Sequence, residues 1–139
     1  MDDRLFIDHV DTEWFLRAKS MGFQAIGACH AIMTHNLGET RKRFWLFRWR
    51  AIPKHAPFRY YYIFRNSMLL LRRGYVDQGW RRCELLRLLK LFFVFGMFMA
   101  PRIKHVKMMM FGIRDGLRGR YGCLHIDPGK GSGKNSVSI

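Results

Sequence analysis

From Thr12 to Met21 the chain reads TEWFLRAKSM, with Trp14, Phe15 and Ala18 at spacings of three and four. That period predicts a helix. Asp11 precedes it as an N-cap, Glu13 suits the positive end of the helix dipole, and Gly22 offers a left-handed residue to end it. Two short apolar runs follow, FQAIGA (Phe23 to Ala28) and AIMTH (Ala31 to His35), which read as buried strands, and then NLGE (Asn36 to Glu39) as a turn. Helix, strand, strand and turn make an α/β pattern, and only part of one.

The pattern changes after Arg41. RKRFWLFRWR (Arg41 to Arg50) mixes cations with aromatic rings until PKHAP (Pro53 to Pro57) breaks it. Pro57 suits the first turn of a helix that begins at Phe58. Within FRYYYIFRNSMLLLRRG, Tyr61, Phe64, Met68 and Leu71 form an apolar stripe, Arg72 and Arg73 suit the negative end, and Gly74 stops the helix. A further helix begins near Gly79 and reaches Pro101, amphipathic at first and uninterruptedly apolar from Leu91 to Ala100. That apolar run is well short of the roughly 20 residues that cross a hydrocarbon core, so it is expected to be buried or interfacial. Ile103 to Gly122 continues basic and apolar, and the Gly/Ser/Lys-rich end is expected to be a disordered tail. The chain thus divides into residues 1–50, a helical basic and aromatic region 51–122, and a tail 123–139.

Charge sharpens this division. Lys and Arg number 25 against 10 Asp and Glu, a net of +15. Half of the acids, Asp2, Asp3, Asp8, Asp11 and Glu13, precede Trp14, so the cationic field belongs to the chain from Arg41 onward. Such a field favours nucleic acid, an anionic membrane surface or a phosphorylated substrate. A hydrophobic content of 49%, with 15% aromatic, excludes a disordered chain. Cys29, Cys83 and Cys123 are widely spaced and odd in number, so reduced thiols in the cytoplasm are expected. No basic region followed by an apolar core opens the chain, so no signal peptide is read there.

Several chemistries compete for the same residues. The basic, aromatic stretch suits a helix lying on an anionic leaflet, or a core stripe with a solvated face. It could also stack RNA bases, but no RNP, KH or zinc-knuckle motif accompanies it, and nucleic acid is not the expected partner. The tail is no P-loop, because Pro128 and Asn135 stand where Gly and Ser or Thr are required. His35, between an apolar run and a Gly turn, is either a ligand contact or a satisfied polar group. Asp11 is a cap, a proton acceptor, or both.

The opening stretch LFIDHVDTEWFLRAKSMGFQAIGACHAIMTHNLGE resembles the second half of the catalytic domain of family 2 glycosyltransferases, most of all bacterial rhamnosyltransferases that build O-antigen and capsular polysaccharide. VDTEWFLRAKSMGF is similar to that family's acidic helix motif, MTHNLGE to its histidine-glycine turn, FRYYYIFRN to its Arg-Tyr-Tyr…Arg-Asn helix, and IRDGLRGRYG to its basic closing segment. The resemblance covers about Leu5 to Gly122. It implies an α/β fold, the truncated second half of a GT-A-type nucleotide-sugar transferase domain followed by basic amphipathic helices.

The resemblance further implies an inverting transferase that moves a sugar, L-rhamnose, from a dTDP-linked donor to a lipid-linked saccharide acceptor. It implies Asp11 as the general base, with Glu13 as the second acid, and His35 near the diphosphate and metal. Arg59, Tyr60, Arg65 and Asn66 fall on its acceptor-side helix. A divalent metal, Mg or Mn, is expected only with a nucleotide-binding N-terminal half carrying Asp-x-Asp, which the resemblance puts before Met1, in this chain's absence from a separate partner. The chain is then expected to be inactive alone, marginally stable through exposed sheet edges, and peripheral at the inner face of the cell membrane. The alternative is a non-catalytic membrane-surface or interaction module.

Overall fold

The computed structural model describes residues 2–27, 30, 41–45, 49–53 and 56–124, the two strands by their backbone alone. A 3₁₀ turn (Asp3–Leu5) leads to helix α1 (Val10–Ser20). Strands β1 (Arg41–Trp45) and β2 (Trp49–Pro53) follow, then helices α2 (Pro57–Leu71) and α3 (Gln78–Phe93), a π-helical turn (Val94–Phe98) and helix α4 (Arg102–Leu117).

This architecture overturns the expected α/β class. The regular elements among the described residues are helical apart from β1 and β2, which pair antiparallel with Phe44 opposite Arg50 and Trp45 opposite Trp49. No parallel strand pair occurs among the described residues. Phe23 to Gly27 is irregular and exposed where a buried strand was expected. A short apolar run becomes a strand only when a neighbour completes its ladder, and no strand among the described residues pairs with it. The expected strand Ala31 to His35 and the tail beyond Leu124 lie outside the described residues.

Helix α2 is the centre. Pro57 occupies its first turn, as the sequence predicts. The stripe of Tyr61, Phe64, Met68 and Leu71 understates its burial, because every residue from Tyr60 to Ser67 is buried. One face packs Tyr60, Ile63 and Phe64 against Leu88 of α3, Phe95 of the π turn, Met99 just after it and Met109 of α4. The π turn carries Phe95 inward, where its ring lies 4.5 Å from that of Tyr60. The apolar run after Leu91 therefore divides: Phe95 and Met99 are buried, whereas Phe93, Met97 and Phe98 are exposed.

Helix α4 approaches α2 through Gly112 and Gly116, four residues apart and so on one helix face. A Cβ on Gly112 would collide with the Tyr61 carbonyl oxygen. One on Gly116 would lie 2.6 Å from both the Arg65 carbonyl oxygen and Met68 Cβ. Small residues thus set the interhelical distance. The same helix face carries buried Asp115, whose Oδ2 accepts a 3.0 Å hydrogen bond from Tyr61. Burial and that carboxylate push the Tyr61 phenol up to about 12.

Candidate functional site

The acidic N-terminal segment runs against the middle of α2. Within it Phe6, Asp8 and His9 have φ of 66°, 61° and 63°, a region costly for residues with a Cβ. Such strain persists only where the surroundings over-determine it. Here they do. Asn66 Nδ2 faces the carbonyl oxygens of Leu5, Ile7 and Asp8 at 3.0, 2.7 and 2.9 Å. Arg65 donates from Nη2 to the Leu5 carbonyl at 2.9 Å, from Nη1 to the Gly122 carbonyl, and from Nε to Asn66 Oδ1. Its guanidinium also lies 4.8 Å from the Tyr62 ring centre. Gly122 N–H returns to the Arg4 carbonyl at 2.8 Å, closing the clamp from the other end of the chain. Asp8 is held by Arg59, with Nε 3.1 Å from Oδ2 and Nη2 3.1 Å from Oδ1.

Replacing Asn66 with alanine strands the Ile7 and Asp8 carbonyls beside three strained residues and leaves the Leu5 carbonyl to Arg65 alone. A loss of about 3 kcal/mol is expected, the upper end for buried polar groups left unpaired. Urea denaturation followed by circular dichroism measures it.

Helix α1 starts at His9, not at the predicted cap Asp11. The His9 carbonyl accepts the first helical bond, from Glu13 N–H at 2.8 Å, and no side chain caps the helix. Asp11 is displaced because the left-handed pair Asp8 and His9 brings the chain into the helix earlier. Gly22 does end the helix, with φ of 88°, and the bonds Gly22 N–H to Lys19 O and Phe23 N–H to Ala18 O form a Schellman motif.

The first turn separates the two acids of the motif. Asp11 is exposed and has no hydrogen-bond or ion-pair partner among the described residues. Glu13 is buried, and its Oε1 accepts 2.9 Å bonds from Arg17 Nε and Tyr75 OH. Its Oε2 is buried without a hydrogen-bond partner among the described residues. Burial and the Glu13 carboxylate push the Tyr75 phenol up to about 12, so it remains a donor. Asp11 is thus open to an incoming group, while Glu13 ties α1 to the chain after α2.

A second network, not anticipated from the sequence, anchors His9. Its Nε2 lies 3.0 Å from Ser67 Oγ, 2.9 Å from Arg87 Nη2 and 3.4 Å from Glu84 Oε1. Arg87 Nε donates to Glu84 Oε2 at 2.9 Å, and Ser67 Oγ is bonded to Glu84 Oε1. One signal for this was present. Glu84, Leu88, Leu91 and Phe95 share one helical stripe, so an acid stands where the stripe calls for an apolar residue. Burial raises the Glu84 pKa, but bonds from His9, Arg87 and Ser67 outweigh it and bring the group down to about 2.

A depressed folded-state value has a defined sign. The stabilisation is complete above the ordinary carboxylate value of 4.5 and is lost as pH falls towards about 2. Thermal melts between pH 5 and about 2 are therefore expected to show falling stability, and Glu84→Gln is expected to flatten that dependence.

Other predicted residues fall elsewhere. Tyr60 is in the core beside Phe95 and His105. Arg59, Arg65 and Asn66 share α2 and converge on the segment before α1, with Arg65 and Asn66 wholly buried. His35 lies outside the described residues. Among the described residues no group of three or more His, Cys, Asp or Glu could hold a metal ion, and no helix is long and apolar enough to cross a membrane.

No protein-family model and no solved structure matches the chain. It is 41% identical over 76 residues to the dTDP-rhamnosyl transferase RfbF of Shigella flexneri. That alignment covers 55% of this chain and 25% of the relative, so the chain spans about a quarter of the relative's length. The similarity supports a rhamnosyltransferase-like relationship and hints at a glycosyltransferase role.

Proposed function

We propose that this chain is part of an inverting rhamnosyltransferase of the family 2 type, and that Asp11 is its general base. The donor is dTDP-rhamnose and the acceptor a hydroxyl of a lipid-linked saccharide presented at an anionic membrane surface, as in O-antigen assembly. The observation that carries the assignment is the contrast in α1: Asp11 is exposed and unpaired among the described residues, two positions before a buried, engaged Glu13. Transfer needs a carboxylate within hydrogen-bond reach of the attacking hydroxyl. The acceptor oxygen bonds to the anomeric carbon, the bond to the diphosphate breaks, and the hydroxyl proton passes to Asp11. The nucleoside diphosphate leaves.

Arg65 and Asn66 act as positioning residues. They fix the backbone from Leu5 to Asp8 and so the place where α1 begins. A divalent metal, Mg or Mn, would compensate the departing diphosphate. No metal cluster is present among the described residues, and no step is assigned to one.

The test is a graft. Residues 2–124 of this chain replace the corresponding stretch of the Shigella relative, to which the chain is 41% identical over 76 residues. Transfer of labelled rhamnose from dTDP-rhamnose to lipid acceptor is then measured. Transfer is expected. A folded graft that releases no dTDP and transfers no sugar contradicts the proposal.

A further inference from the structure

The acids and cations of the last two helices are distributed unevenly in depth. Between Gln78 and Leu124 the chain has ten Lys and Arg but only two acids, Glu84 and Asp115. Both acids are buried and engaged internally, Glu84 with Arg87 and Asp115 with Arg114 and Tyr61. Between Gln78 and Leu124 the cations therefore have no exposed carboxylate to offset them, and Asp77 at the α3 N-cap is paired with Lys19.

One face of α3 adds apolar groups to that field. Arg82, Leu86, Leu89 and Phe93 follow the spacing of four, three and four that aligns residues along a helix, on the side away from Glu84 and Leu88. Leu86, Leu89 and Phe93 are 56%, 65% and 54% exposed. The patch continues past the end of α3, where the exposed Phe98 ring lies 5.8 Å from that of Phe93, with Met97 also exposed. Lys90 flanks it, also exposed.

We infer that this α3 face, centred on Leu86, Leu89 and Phe93, is a docking surface for an anionic lipid bilayer. It deepens the membrane partner named above by giving it a place, and it rests on charge and exposure rather than on the transfer chemistry. Apolar side chains enter the acyl boundary while Arg82 and Lys90 remain among the phosphates. A nucleic acid would leave Leu86 and Leu89 in water. A second copy would set two unbalanced cationic fields against each other.

The experiment is sedimentation of the full chain with phosphatidylcholine vesicles, with or without phosphatidylglycerol. Binding to the phosphatidylglycerol vesicles is expected, weakened by salt. The Leu86→Ser, Leu89→Ser and Phe93→Ser triple variant, with helicity checked by circular dichroism, is expected to bind more than about tenfold more weakly. Phe93→Trp supplies a second readout that keeps an aromatic ring in the patch: the emission it adds to that of the four native tryptophans, read as the difference from the unsubstituted chain, should shift to the blue on binding. Because no nucleotide sugar is present, a failed graft leaves this result untouched. Unchanged binding by the triple variant or no blue shift overturns the inference. So does retention on single-stranded RNA without vesicle binding, or a dimer that the triple variant dissolves while vesicle binding is unaffected.

Discussion

Exchange of Asp11 for asparagine in the grafted enzyme is expected to lower kcat by about 10²- to 10⁴-fold, the usual contribution of a positioned general base. The amide keeps the size and shape of the carboxylate but cannot take a proton at working pH. Stability should hardly change, because Asp11 is exposed and bonded to no described residue. Its place in the first turn of α1 favours a negative charge by only a few tenths of a kcal/mol to about 1 kcal/mol. If Asp11 acts on the proton as it leaves, kcat and kcat/KM should fall together and KM should hold. Glu13→Gln should behave differently. Its carboxylate is bonded to Arg17 and Tyr75, so the variant should lose stability before it loses catalysis.

A large structural effect is expected at Gly116. Valine there would press its Cβ against the Arg65 carbonyl oxygen and Met68 Cβ, both 2.6 Å from the Cβ position. One obstacle is backbone, so no rotamer relieves it, and α4 must move away from α2. That movement separates Asp115 from Tyr61 and disturbs Arg65, the residue that clamps the N-terminal segment. Overpacking of this kind costs about 1 to 3 kcal/mol, and with the coupled bonds a loss near the upper end is expected. Valine regains little through helix propensity. A fall in the urea midpoint, together with loss of transfer by the graft, checks it. Gly119→Ala is no comparable probe of packing, because its φ of 70° is strained for any Cβ.

The sequence disclosed its local signals well and its long-range ones poorly. Pro57 and the period of FRYYYIFRN marked α2, Gly22 marked the end of α1, and the apolar run from Leu91 to Ala100 marked the continuation of α3, though as a π-helical turn after Phe93 rather than as one helix to Pro101. These are decided within one or two helical turns. The expected strand at Phe23 failed because a strand is defined by a neighbour, and an isolated apolar run carries no information about one. Asp11 was misplaced as a cap for a related reason. The left-handed backbone at Asp8 and His9 is held by Asn66 and Ser67, far along the chain.

The candidate site divides in the same way. Asp11, Glu13, Arg59, Arg65 and Asn66 were singled out by motif, and the structure draws Arg59, Arg65 and Asn66 onto the segment that sets α1. His9, Ser67, Glu84 and Arg87 carry no motif. Glu84 alone was detectable, as an acid on the stripe of Leu88, Leu91 and Phe95. The pair Gly112 and Gly116 was legible as small residues one turn apart, but its meaning depends on which helix lies opposite.

The most direct measurement is the initial rate of rhamnose transfer by the grafted enzyme and its Asp11→Asn variant, at saturating dTDP-rhamnose, with both proteins matched in circular dichroism. Transfer by the first and a rate at least about 100-fold lower in the second are expected. Equal rates would remove Asp11 as the base, and with it the chemical role assigned to this chain.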